Sequence, residues 1–422
     1  MSNTFARVGT ANMYDSSIRN LSARQNTLVG LQENLTSGKR VVRPSDDPVA
    51  AAQAERALTR ISRIQSEQRQ LDVQRNAIAQ GESTLGDAIN LVQQIRELFM
   101  AAGSGTLKTE DRKTYALQID SLRNQLTDVI NRKDTNGMPL LGALGSALTA
   151  FVGPTLSSPD YQFNGLPGQA ASTGVDIATA LDGHSALMFD PVRDGTYTAT
   201  VTRGDPSSSL TTSAITTSNL QTLDGASYSL QITAVNVDPV NKTTSVDYTL
   251  TQTDRDGTVT VLPPVTTPPV ATGQPIPITI SQGATQVMSF SLSGTPTVGD
   301  TADIAPSPSL MSSIDSAMRG ISEAPDSNAA AQAVGQALAN IDAGMERLNN
   351  MRGYAGELLN RADRISGDQE NRSIQLEADR SRAEDLDMVK GISDFQTANV
   401  GYEAALKSYA QVQRLSLFNY MS

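Results

Sequence analysis

Residues 35–54 read LTSGKRVVRPSDDPVAAAQA. The stretch lies between two helical patterns and continues neither. Upstream, Ile18, Leu21, Leu28, Leu31 and Leu35 recur at helical spacing, with Gln25 interrupting the stripe. Gly38 then supplies a helix stop, because glycine takes the left-handed backbone conformation without a Cβ penalty. Asp47 directly before Pro48 predicts an N-cap followed by proline at the first helical position. Residues 39–46 are therefore an irregular joint between two helices.

Downstream of the joint, Ala57, Ile64, Leu71, Ile78, Leu85, Val92 and Phe99 fall at every seventh position. An unbroken apolar column of this kind is a coiled-coil-like signal. The alternate seam is poorer, with Gln68, Arg75 and Glu82 at its positions, so the helix is one edge of a bundle rather than a free-standing zipper. From Pro48 to Ala101 a rise of 1.5 Å per residue predicts a rod of about 80 Å. Gly81 and Gly86 allow a kink in it. The turn AAGSGTL leads to a second helix over 109–133, with Thr109 as the expected N-cap and Asp111 in its first turn. Near the other end, Val334, Leu338, Ile341, Met345, Leu348, Ala355, Leu359 and Ala362 repeat the 3–4 spacing. The pattern weakens over 366–387 and recovers at Met388, Ile392, Phe395, Tyr402, Leu406 and Tyr409, ending in Leu415, Leu417 and Phe418.

Proline separates these helical zones from the middle of the chain. All but three of the 19 prolines lie between Pro139 and Pro308, where they exclude long helices. There the period falls to two. Tyr228, Leu230, Ile232 and Ala234 alternate with polar residues, as do Val246, Tyr248 and Leu250. Thr253-Asp254-Arg255-Asp256-Gly257 reads as a hairpin turn into Val259 and Val261. Ile276, Ile278 and Ile280, then Met288, Phe290 and Leu292, extend the set. The expected fold class is α+β: a long antiparallel helical bundle from both chain ends with an inserted β-rich outer domain. Residues 1–40 with 388–422 form a terminal helical layer of coiled-coil type, expected to be mobile in a lone chain. Residues 41–135 with 306–387 form a helical rod, and residues 136–305 the insert.

Composition narrows the function. Aromatic residues are 4% with no Trp, so the core must come from aliphatic seams. A net charge of −11 argues against a nucleic-acid partner. The N-terminal zone is net positive, whereas the insert and the C-terminal zone are net negative. Cysteine is absent, which removes disulfides, thiol nucleophiles and Cys metal sites. The sequence MSNTFARVGTANMYDSSIRN has no apolar run of signal-peptide length, and no stretch approaches the roughly 18 apolar residues of a membrane span. The expectation is either a cytoplasmic protein or one exported without a cleaved apolar signal.

Catalytic patterns are wanting, and the expectation is a non-enzyme without metal or cofactor. The single histidine, His184 in GHSAL, lacks the second glycine of a nucleophile elbow. Gly103-Ser104-Gly105 meets Lys108 where a dinucleotide fingerprint needs glycine, and Gly38-Lys39-Arg40 is no P-loop. Asp254 and Asp256 lack the downstream ligands of a calcium loop. The carboxylate pairs Asp46/Asp47 and Asp385/Asp387 could do acid–base work, but the structural reading is simpler, since capping explains Asp47 without catalysis. The terminal stripes raise a different question. Burying a Leu or Phe yields about 1.5–3 kcal/mol, and two isolated helices cover one seam between them but not their full faces. Neighbouring copies must cover the rest, or the termini stay mobile.

The opening stretch resembles the Ser/Thr-Gly-Lys-Arg…Asp-Asp-Pro segment of bacterial flagellar axial proteins. Its Pro-Ser-Asp-Asp-Pro form is more similar to the hook-associated protein 3 type than to flagellin, where Asp-Asp is usually followed by Ala-Gly. EDLDMVKGISDFQTANVGYEAALKSYAQVQRLSLFNYM, at 384–421, resembles the terminal helix of the same family. SFSLSGTPTVGDTADIAPS, at 289–307, resembles a segment of hook-associated outer domains. The resemblance covers 1–135 and 306–422 and is weak over 140–285.

It implies a structural protein of the bacterial flagellum, exported unfolded through a type III apparatus and built into a ring between hook and filament. The helical ends would form inner tubes and the insert would point outward. Implied partners are copies of itself in a ring or tube, another hook-associated protein on the hook side, flagellin on the filament side, and a cytoplasmic export chaperone on about 385–422. Leu28, Leu31, Leu35, Phe395, Tyr402, Leu406, Tyr409, Leu415 and Phe418 are the expected inter-subunit residues. Gly38, Lys39, Arg40, Arg43, Asp46, Asp47 and Pro48 are expected to hold the layers in register. The competing readings are a minor flagellin, a cytoplasmic coiled-coil scaffold, and a glycan-binding module or enzyme carried on the insert.

Overall fold

The two proline-free stretches fold as long helices. In the computed structural model, which describes residues 10–155, 158–283 and 285–418, α1 spans Thr10–Ser37, α2 Pro48–Ala102 and α3 Thr109–Ile130. Two short helices, α4 (Gly183–Leu187) and α5 (Pro191–Asp194), precede the main strands. After the strands come α6 (Leu310–Ser322), α7 (Ser327–Glu384) and α8 (Met388–Phe418). No helix among the described residues is long and apolar enough to cross a membrane. The chain divides into two units: one drawn from both ends, up to Arg69 and from Ser366 onward, and one covering Gln70–Ile365. Both α2 and α7 supply residues to each.

All seven residues of the heptad column on α2 are buried. The second seam does not run through Arg75 and Glu82. It runs one position earlier, through Gln74, Gly81, Ala88, Ile95 and Ala102, all of them buried. A heptad seam alternates steps of three and four, and here the step after Leu71 is three. Arg75 and Glu82 lie beside the seam and pair with Asp363 (3.1 Å) and Arg352 (2.6 Å) of α7. Arg96 pairs with Asp342 (2.7 Å). As the α2 number rises the α7 number falls, so the helices are antiparallel. On α7, Val334, Ile341, Leu348, Ala355 and Ala362 form the answering buried column, again at every seventh residue. Ile119, Leu126 and Ile130 of α3 and Leu310, Ile314 and Ile321 of α6 join the same core.

Two local expectations change. Gly81 does not break α2; a Cβ there would come within 3.0 Å of Leu181 Cδ1, so the glycine admits a loop leucine to the helix surface. Thr109 is the first residue of α3 rather than its cap. The Lys108 N–H donates to the Asp111 carboxylate (3.3 Å), while Thr109 Oγ1 accepts from buried Arg112 (3.2 Å).

In the middle of the chain every pairing between named strands is antiparallel among the described residues. A small sheet joins β1 (Phe151–Val152) to β2 (Gln162–Phe163). The remaining strands are β3 (Tyr197–Thr202), β4 (Thr211–Thr212), β5 (Thr216–Thr217), β6 (Ser227–Asp238), β7 (Thr243–Thr253), β8 (Val259–Val261), β9 (Val265–Thr266), β10 (Val270–Ala271), β11 (Ile276–Gln282), β12 (Thr285–Ser293) and β13 (Thr301–Pro306). One sheet has the order β10-β7-β6-β13-β3, with β8 and β9 also on β7; the other has β11-β12-β4, with β5 also on β12. The alternating residues face inward as their period requires, except Ala234, where a register shift after Ile232 brings Val235 against the core instead. Tyr228, Leu230, Ile232, Val246, Tyr248 and Leu250 meet Ile276, Ile278, Ile280, Met288, Phe290 and Leu292 in one core. The architecture is thus the α+β class, with the β-rich part inserted between helices from the two ends.

Both edges of the larger sheet are closed. Along β7 the edge is cut into β8, β9 and β10 by Pro263-Pro264 and Pro268-Pro269, which cannot donate to a further strand. On β3, Ala199 N–H donates to Gln336 Oε1 (3.2 Å) and Ala199 O accepts from Gln332 Nε2 (3.3 Å), so two α7 amides stand in for a neighbouring strand.

Asp300 ties the loop before β13. It is fully buried and accepts from Gly204 N–H (2.8 Å), Ser208 Oγ (2.7 Å), Thr297 N–H (2.8 Å) and Thr297 Oγ1 (2.9 Å). Burial pushes its pKa up, but the bonds from Ser208, Thr297 and Gly204 outweigh it and hold the carboxyl below 3.8. A depressed acid contributes stability above its unfolded pKa and loses it as pH falls through the folded one. Asp300→Asn is therefore expected to cost about 2 kcal/mol at neutral pH. In pH-dependent melting, the gap to wild type should close only below the ordinary carboxylate range.

Candidate functional site

The joint read from residues 35–54 is half of a double joint. Gly38 ends α1 with φ of +70°, and nothing lies within 4 Å of where its Cβ would be. The backbone alone therefore dictates glycine there. Beside this break, the chain between α7 and α8 breaks too. Leu386 N–H donates to Gly38 O (2.9 Å) and Arg40 N–H to Glu384 O (2.7 Å), making an antiparallel bridge between Lys39 and Asp385. Gly38→Ala should cost roughly 1–2 kcal/mol through left-handed strain. Hydrogen exchange should show the loss as earlier opening of residues 38–41 and 384–386 together.

Side chains lock the same bridge. The Lys39 ammonium pairs with Glu384, which is largely covered. Arg40 spans the joint, donating to Ala383 O (2.8 Å) and pairing with Asp47 (3.3 Å). Arg43 pairs with Glu33 of α1 (2.8 Å). Asp46 does not cap α2; its carboxylate accepts from Val42 N–H (3.2 Å) and Arg43 N–H (2.8 Å) and folds the turn. Asp47 is the cap, accepting from Val49 N–H (3.2 Å) and Ala50 N–H (3.0 Å), and Pro48 is the first residue of α2. The Ala50 bond above all holds the Asp47 carboxyl below its ordinary value; slight burial opposes the shift, and Arg40 and Val49 add to it. A compact apolar patch of Val41, Ala50, Ala54 and Ala383 lies beneath.

The second half of the joint supplies residues that the sequence reading did not place. Glu384 and Ala383 receive Lys39 and Arg40, and Asp387 caps α8 through Val389 N–H (3.0 Å) and Lys390 N–H (3.2 Å). Asp387 ahead of the renewed helical stripe was the available signal, the same one that marks Asp47.

Beyond the joint, α1 and α8 pack against each other. Gly391 faces Leu35, whose Cδ2 lies 3.2 Å from the glycine's would-be Cβ, and Gly401 faces Arg24, so the pair is antiparallel. Leu28, Leu31, Leu35, Phe395, Tyr402 and Tyr409 are only half-buried, and Leu406 is 40% exposed. Val389, Ile392 and Val400 of α8 and Val29 of α1 are exposed outright. The side chains of Leu415 and Phe418 lie outside the described residues. The pair thus buries one seam and leaves apolar surface uncovered. His184 stands apart from both features, edge-on to Phe163 at 5.7 Å, and no metal-binding group of three side chains occurs among the described residues. The arrangement couples two helix breaks and displays apolar helix surface.

Known proteins share these parts. The bacterial flagellin N-terminal helical region matches residues 8–144, and the bacterial flagellin C-terminal helical region matches residues 338–421. Flagellar hook-associated protein 3 of Salmonella typhimurium is 33% identical over 135 residues, 31% of this chain and 41% of that protein. Its Escherichia coli counterpart is 35% identical over the same extent. Flagellin of Listeria monocytogenes is 25% identical over 162 residues, 37% of this chain and 56% of the flagellin. The chain therefore spans about two fifths of the length of the hook-associated relatives it matches. Among solved structures, flagellar hook-associated protein 3 of Legionella pneumophila superposes with a TM-score of 0.59 at 23% identity, covering 77% of this chain and 97% of that one. FlgL of Xanthomonas campestris gives 0.57 at 19% identity, covering 77% and 98%. At these identities the structural likeness is one of fold.

Proposed function

From the premise that this chain belongs to the bacterial flagellin-like axial proteins, whose two helical end regions together match just over half of it, we propose that it is a structural adaptor of the flagellum at the hook–filament junction. The observation that carries the assembly reading is the half-covered apolar surface of the α1/α8 pair. Apolar surface of that extent favours association once another helix can cover it. The junction, rather than the filament, is favoured by the higher identity to hook-associated protein 3 than to flagellin and by Asp47-Pro48 at the joint.

In this reading the protein works outside the cell, in the flagellum, and performs no catalytic step. Its partners are copies of itself in a ring or tube, a second hook-associated protein on one side, flagellin on the other, and an export chaperone that holds 385–422 beforehand. Residues 1–40 with 388–422 act as the terminal layer, 41–135 with 306–387 as the rod and 136–305 as the outer part. Leu28, Leu31, Leu35, Phe395, Tyr402, Leu406, Tyr409, Leu415 and Phe418 are the assembly surface, and the double joint sets the register between layers.

Deletion of the gene in the organism of origin tests the reading. The expected result is non-swimming cells with bare hooks and flagellin shed into the medium, restored by the wild-type chain. Normal attached filaments in the deletion strain would overturn it. Long filaments grown from the purified chain alone would favour a filament subunit instead.

A further inference from the structure

We propose that copies of this chain meet head to tail through opposite flanks of the α2/α7 pair near the joint. An arginine-lined flank of one copy receives carboxylates from the other flank of the next. The proposal rests on the self-assembly reading above and names the surfaces that assembly uses.

Near the joint the α2/α7 pair buries Val41, Ala50, Ala54 and Ala383, then Ala57, Ile61 and Ile64, and a cleft opens on each of its flanks. One flank carries a cleft of about 600 Å³ lined by Arg40, Arg56, Arg60 and Arg382, with Asp47 and Asp379. Arg40 is held by Asp47 and Arg382 by Asp379. Arg56 and Arg60 have no ion-pair partner among the described residues. They stand one turn apart on the same face, where like charges work against the helix. In a chain of net charge −11, two unneutralised guanidinium groups at the mouth of one cleft call for an anionic counterpart.

The other flank supplies one. It carries a groove of about 730 Å³ lined by Leu58, Ser62 and Gln65 of α2 and by Ile374, Glu377 and Arg380 of α7, where Arg380 and Glu377 neutralise each other and leave the free carboxylates to be found beside them. Glu55 lies three residues before Leu58 and seven before Ser62, and Glu370 lies seven before Glu377. That spacing puts both on this flank. Both are exposed, and neither has an ion-pair partner among the described residues. Arg56 and Leu58, two positions apart, lie about 200° apart around the helix, so the cationic and anionic flanks of one copy cannot meet each other. Each flank also offers apolar surface to bury, Val49 at 68% exposure on the first and Ile374 at 62% on the second. A contact between unlike patches is heterologous, and repeating it generates a ring or a helical tube rather than a closed dimer. The charge pattern thus fits a second copy of this chain.

Charge swapping tests it in the deletion strain. Arg56→Glu/Arg60→Glu and Glu55→Arg/Glu370→Arg are each expected to lower the fraction of cells bearing filaments by about tenfold or more, through like-charge repulsion at every contact. The four-fold variant, which restores complementarity with the signs exchanged, is expected to recover it to within about twofold of wild type. All three variants should melt as wild type does, because the positions are exposed. Filaments at the wild-type level in either double variant overturn the proposal. So does a normally folded four-fold variant no better than the doubles, which would mean that these flanks meet a different protein. If the wild-type chain itself fails to restore filaments, the junction reading fails instead. The flank contact is then read in purified protein by sedimentation, where the same loss and recovery of self-association must appear or the proposal falls as well.

Discussion

Phe99→Ala is expected to remove about 3–5 kcal/mol from the stability of the isolated chain, the range for truncating a large buried ring. Phe99 is the last residue of the heptad column on α2 and is fully buried. It belongs to the core shared by α2, α3, α6 and α7. Those four helices come from both ends of the sequence and constrain one another, so the space left by the ring cannot collapse without shifting several packed columns. Val92→Ala, one heptad earlier and equally buried, removes fewer atoms and should cost less than half as much. Chemical denaturation followed by circular dichroism measures both. A loss below about 1 kcal/mol for Phe99→Ala would mean that the column does not hold the helices together.

Truncation on the terminal pair should show the reverse pattern. Phe395→Ala with Leu406→Ala is expected to shift unfolding of the lone chain by no more than about 1 kcal/mol, because both side chains still face solvent in part. Assembly should respond far more strongly. If neighbouring copies complete the burial, two lost apolar contacts per copy raise the concentration needed for self-association by about tenfold or more. Sedimentation of the purified chain over a range of concentrations reads this directly. A large loss of monomer stability with unchanged assembly would show that α1 and α8 already satisfy one another.

The helical columns were legible because a strict seven-residue period leaves little room for another explanation. Ala57 through Phe99 proved buried without exception. The second seam escaped because Gln74 and Gly81 interrupt its hydrophobic signal; small or amide side chains fit where helices lie close, and only the packing reveals that they are inside. In the insert, the inward residues of β6, β7, β11 and β12 followed from alternation alone. Their partners did not, since β13 slots between β3 and β6 through pairings distant in sequence. At the joint, the cap at Asp47-Pro48 and the stop at Gly38 were local and therefore readable. The hydrogen bonds from residues 39–40 to 383–384 were not, because nothing in either segment names the other.

Periodicity and capping chemistry settle the long helices, the alternating strands of the insert and the helix break at Gly38 and Asp47-Pro48, because those choices turn on side chains a few residues apart. They also show that the ends carry apolar stripes. What required the folded chain was the coincidence of the two helix breaks, the placing of arginines and glutamates on opposite flanks, and the degree to which α1 and α8 cover each other. These depend on which faces meet across hundreds of residues, and such pairings are chosen by shape and by the burial of every other segment at once.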